Sequence, residues 1–181
     1  AEDARDRRAP RRAYGRRTGI ALRRKVAMPT GERSELESYL GYVCRSIDRI
    51  VACLDELTEE EASTPPAPAA SSLRSLAVHA MGNVEENVIG VFARGTVARV
   101  RDAEFTNDVP LSEIAPRWRE LRERIMRSVG DFSPGELAAD RMHPRRGPMT
   151  GREVLFVAAR HAAEHMGHAE LTRQFMLAQR R

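Results

Sequence analysis

The sequence predicts an all-α fold, a four-helix bundle with long connections between helices 2–3 and 3–4. Four stretches carry apolar residues at alternating three- and four-residue steps, the period of a helix with one buried face. No stretch shows the two-residue alternation of a half-buried strand. Aromatic residues make up only 5% of the chain, while the strong helix formers Ala, Leu, Arg and Glu are abundant. A length of 181 residues suits one domain with a substantial core.

The first helix is expected near residues 34–57, where Leu36, Leu40, Val43, Ile47, Ile50, Leu54 and Leu57 form the stripe. The linker Ser63-Thr64-Pro65-Pro66-Ala67-Pro68 breaks the pattern, since proline lacks the N–H that a helix interior needs. Ser71-Ser72 supplies the cap of a second helix near 73–93, with Leu73, Leu76, Ala80, Val84, Val88 and Val91 as its stripe and Gly95 as its stop. A long connection leads to a third helix near 111–129, striped by Leu111, Ile114, Trp118, Leu121, Ile125 and Val129. Pro116 is tolerated there because it lies close to the helix start. Residues 130–149 read as a second long connection rich in Gly, Pro and Arg, with a short turn at Ser133-Pro134-Gly135-Glu136. Thr150-Gly151-Arg152-Glu153 is a capping box for a last helix near 151–177, with Val154, Ala158, His161, His165, His168 and Phe175 on one face.

The formal net charge of +4 is unevenly spread. Residues 1–27 hold nine Arg and Lys25 against Glu2, Asp3 and Asp6, which leaves 20 basic and 23 acidic groups for the remainder. The basic character belongs to a tail without amphipathic periodicity, read as a disordered extension. Met28-Pro29-Thr30-Gly31 reads as the physiological start of a 28–181 domain. No aromatic interleaving or nucleic-acid motif accompanies these arginines, so no nucleic-acid partner is expected. Membrane spanning is not expected either, because no apolar run approaches about 18 residues. Arg16-Arg17 lacks the hydrophobic segment of an export signal, because Arg23-Arg24-Lys25 interrupts it. Cys44 and Cys53 lie roughly 180° apart on one helix and read as reduced core residues, so the expected location is cytoplasmic. A homodimer is expected if helix one or three exposes part of its stripe.

The histidines carry the chemistry. His161, His165 and His168 fall within an arc of about 60° on one helical face, and His79 stands in the second helix. Burying unpartnered imidazoles is costly, and coordination removes that cost by turning neutral ring nitrogens into ligands. His161 and His165 are one turn apart and suit a single ion, with His79 from another element. His168, a turn further, is a third ligand, a donor to a ligand or a substrate contact. Glu86 shares the His79 face and orients a ligand or acts as a base, or else reads with Glu85 and Glu164 as a solvated or ion-paired group. Arg141, Arg145 and Arg146 line the mouth of the site and hold an anionic cofactor or substrate, or are solvated loop residues.

Ser75-Leu76-Ala77-Val78-His79, Asn83-Val84-Glu85 and His161-Ala162-Ala163-Glu164-His165-Met166-Gly167-His168-Ala169-Glu170 together resemble the DinB/YfiT-like superfamily. That group contains the DUF664 proteins and the metal-binding domain of mycothiol-dependent maleylpyruvate isomerase. The resemblance spans roughly residues 34–178 and implies that His79, His161 and His165 are the metal ligands. The isomerase has glutamate where this chain has His161, and many members have glutamine where it has His168. The resemblance further implies a divalent metal (zinc first, nickel or iron next) and a low-molecular-weight thiol such as mycothiol. The activity so implied is S-transfer to a small electrophilic substrate in detoxification or specialised metabolism. The competing expectations are a metal-dependent hydrolase or isomerase that needs no thiol, and a non-catalytic metal-binding stress-response bundle.

Overall fold

Leucine, isoleucine and valine at helical spacing place one face of each long segment in a common core, and that arrangement organises the structure. The computed structural model describes residues 31–106, 109–130, 132–133 and 135–180. The tail over residues 1–27 and the start at Met28 lie outside them. Helix α1 spans Glu32–Ala52 and the single turn α2 spans Glu59–Ser63. Helix α3 runs Leu73–Val84 and continues as a π-helix over Glu85–Phe92. A 3-10 turn at Arg101–Phe105 precedes α4, Leu111–Ser128. Strands β1 (Asp140–His143) and β2 (Gly147–Thr150) lead into α5, Gly151–Gln179.

Helix α5 packs along α1, α3 and the π-helix, and α4 packs against α3, the π-helix and α1. Ile47, Ile50, Leu73, Ile114, Ile125 and Leu155 are the large side chains buried at their junction. The expected stripes of the first three helices enter this core, with Leu111 only partly covered. Two caps follow the expected chemistry. Ser72 accepts the Ser75 N–H, and Thr150 with Glu153 forms a reciprocal capping box.

Several expectations are corrected. The architecture is mostly helical but not all-α: Asp140–His143 pairs antiparallel with Gly147–Thr150, with Arg141 opposite Met149. The inward side chains of β1 are Arg141 and His143, at 4% and 2% exposure, while Met142 faces outward. Arg141 therefore does not line a site mouth. It donates to the Phe92 carbonyl at 2.8 Å, pairs with Glu136 and lies over the Phe92 ring, fastening the hairpin to the end of the π-helix. Helix α1 ends at Ala52 rather than 57, where Arg173 donates to the Cys53 and Asp55 carbonyls. The capping box of Thr58 and Glu61 starts α2, an element the sequence reading omitted. The helical run ends at Phe92, with Arg94 left-handed just before Gly95. On α5 the expected apolar face leaves the core: Val154 and Ala158 are buried, His161 and His165 half-buried, His168 and Phe175 exposed. Cys44 and Cys53 are free and buried, and burial raises both thiol pKa values.

Candidate metal centre

Helix α3 carries His79 on the face it turns to α5, and α5 presents His161 and His165 one turn apart. One nitrogen from each ring lies within 4.8 Å of the other two. The Nε2 atoms of His79 and His161 are 3.2 Å apart, and the His161 and His165 ring centres are 4.3 Å apart. Ala158, Ala162 and Ala169 on α5 are fully buried, so small side chains let α3 approach the ring-bearing face.

A buried carboxylate fixes the proton on His79. Glu104, from the 3-10 turn, lies 2.7 Å from His79 Nδ1 through Oε2. Burial works against its charge, yet hydrogen bonds from Arg99 and His79 and the Arg99 charge lower its pKa. An ionised carboxylate only accepts, so His79 donates to it through Nδ1, and the neutral ring then carries its lone pair on Nε2. Phe105 packs on the His79 ring, its centre 5.0 Å away.

His161 and His165 are held neutral. Burial, followed by repulsion from neighbouring imidazolium charge, lowers their pKa values to about 3 and about 4. Among the described residues, the Nδ1 of His165 is buried without a hydrogen-bond partner. Two neutral imidazoles packed against His79, one of them with an orphaned buried nitrogen, suit a divalent ion better than a proton network. Tetrahedral zinc, at about 2.0–2.1 Å from each nitrogen, sets ligand nitrogens about 3.3–3.4 Å apart. The observed 3.2 Å separation is close to that spacing.

The same shifts set an acid sensitivity in the metal-free protein. An unfolded histidine titrates near 6.5, whereas these two resist protonation until about pH 4 and about pH 3. Below about pH 6.5 the unfolded chain therefore binds protons that the folded chain refuses, and stability falls with acid. The urea midpoint is expected to drop between about pH 7 and about pH 5. A midpoint that rises over that interval contradicts the burial described here.

The mycothiol S-transferase family model matches residues 36–177, nearly the whole described chain. This chain belongs to the mycothiol S-transferase family. No curated protein matches it. A solved structure described as the conserved protein of locus from Enterococcus faecalis is similar in fold, with a TM-score of 0.65 at 16% identity. That similarity covers 82% of this chain and 99% of the Enterococcus chain.

The remaining sequence-derived site residues of this mycothiol S-transferase family member separate into two places. His168 is exposed beside the cluster, its ring centre 5.7 Å from that of His165. Glu86 does not stand free as a base. Arg99 donates to it at 2.9 Å and Arg145 at 2.8 Å, and these guanidiniums overcome burial to lower its pKa. A carboxylate so held binds protons poorly. Arg145 is thus occupied by Glu86, and Arg146 is exposed at the hairpin turn, where its N–H donates to the His143 carbonyl. Glu85 pairs with Arg124 and Glu164 with Arg160. The sequence reading missed Arg99, Glu104 and Phe105. The one sequence signal for them is Gly82, three residues after His79, where a Cβ would collide with the Glu104 carboxylate.

Proposed function

We propose that the protein is a metal-dependent S-transferase that joins mycothiol, or a similar low-molecular-weight thiol, to a small electrophile. The observation that carries this reading is the convergence of His79, His161 and His165 in a mycothiol S-transferase family chain. On this reading the helices adopt the DinB-like four-helix bundle and these three histidines hold the ion, zinc before nickel or iron. When bound, a divalent metal lowers a thiol's pKa and stabilises the thiolate nucleophile at neutral pH.

The chain's own residues prepare that site. Glu104 keeps the His79 proton on Nδ1 and so leaves Nε2 available. Burial keeps His161 and His165 unprotonated and ready to bind at neutral pH. His168, exposed beside His165, accepts or returns a proton on the open side of the cluster. His168→Ala is expected to retain metal while kcat falls about 100-fold. Loss of metal with His168 would make it a ligand instead.

The functional test is conjugation of a panel of epoxides, alkyl halides and enones, run with and without mycothiol. Turnover that requires both thiol and metal supports the proposal. Turnover of the same compounds without thiol overturns it in favour of a hydrolase or isomerase.

A further inference from the structure

We infer that Glu104 and Arg99 are positioning residues for the histidine cluster, acting through His79; this rests on the three histidines being metal ligands. Glu104 and Arg99 side chains are 7% and 6% exposed, so both charges are removed from water. Burying an ion pair is expensive, and apolar residues would hold a loop against a helix as well. The geometry shows what the charges accomplish. Arg99 grips Glu104 in a fork, Nε to Oε1 at 2.6 Å and Nη2 to Oε2 at 2.8 Å, which stops the carboxylate from rotating. The same Oε2 takes the His79 Nδ1–H, and the His79 Nε2 opposite it faces His161.

A free neutral imidazole carries its proton on either nitrogen. Only the Nδ1–H form leaves the His79 Nε2 lone pair facing its neighbours. The clamp extends outward, since Arg99 also binds Glu86, and Glu86 is held from the hairpin by Arg145. Helix α3 is bare where the carboxylate lies: a Cβ on Gly82 would strike Glu104 and sit 3.2 Å from Arg99 Nε. Gly82 thus makes room for the positioning carboxylate one turn from the histidine it orients.

Two measurements test this assignment. Imidazole nitrogen chemical shifts of the metal-free wild-type chain report the His79 tautomer directly. The Nδ1–H form is expected, and an Nε2–H form overturns the inference. Cobalt(II) affinity, measured by competition with a chelator, is then compared among wild type, Glu104→Gln and Gly82→Ala. Each variant is expected to bind about 10- to 100-fold more weakly, with a shifted cobalt absorption band. Folded variants with wild-type affinity and spectrum overturn the inference. If either variant fails to fold, the wild-type tautomer decides. A wild-type chain that binds no cobalt removes the metal-ligand reading, a result distinct from a wrong tautomer at His79.

Discussion

His79→Ala is expected to lose thiol transfer while keeping its helical fold. Removing a hydrogen-bond partner of a metal ligand typically costs about 10- to 100-fold in affinity or activity. Removing the ligand itself costs more, so a fall beyond about 100-fold is expected in kcat/KM. His79 is 5% exposed, and its loss also leaves the Glu104–Arg99 pair without its third member. Some thermal stability is lost as well, but the apolar core at Ile47, Ile50, Leu73 and Leu155 does not depend on the ring. A His79→Ala protein that conjugates at the wild-type rate contradicts the proposed role.

Trp118→Ala is expected to be the most damaging single change to stability among the core positions of α4. The side chain is 4% exposed between α4 and α1, and its Nε1–H donates to Asp48 at 2.7 Å. Deleting a buried indole costs about 3–5 kcal/mol, a large fraction of the roughly 5–15 kcal/mol that holds a domain together. Trp118→Phe keeps much of the apolar contact and loses the hydrogen bond, at a cost of about 1 kcal/mol. Asp48 keeps its Arg122 partner in that variant. Urea midpoints for the two variants check both magnitudes, and equal midpoints would show that packing is not the main contribution of the indole.

The helices were legible because aliphatic side chains do two things at once: they set a helical period and they fill the core. Val84, Val88 and Val91 marked the far end of the α3 run even though its hydrogen bonding changes to π there. The hairpin was not legible because its inward positions are Arg141 and His143, while apolar Met142 points to solvent. Pattern reading assigns apolar residues to the inside, and this strand reverses that rule.

Helical spacing placed His161, His165 and His168 on one face, and the family resemblance singled out His79, His161 and His165, the three that the fold brings together. Their support could not. Glu104 and Arg99 lie in a polar connection where charged residues are ordinarily solvated, and only the folded chain places them against α3. Glu86 lies on the His79 face, yet of the two roles open to it the structure shows the ion-paired one: it serves two arginines instead of the histidines. Helical geometry gives direction from the axis, and the partner met in that direction belongs to the tertiary fold.

In the proposed function one ion is held by His79, His161 and His165. Its most direct test is the metal content of wild type and His161→Ala after loading with zinc and removal of unbound ion. One ion per wild-type chain and none in His161→Ala is the predicted result. A wild-type chain without metal, or a His161→Ala chain with the full complement, contradicts it.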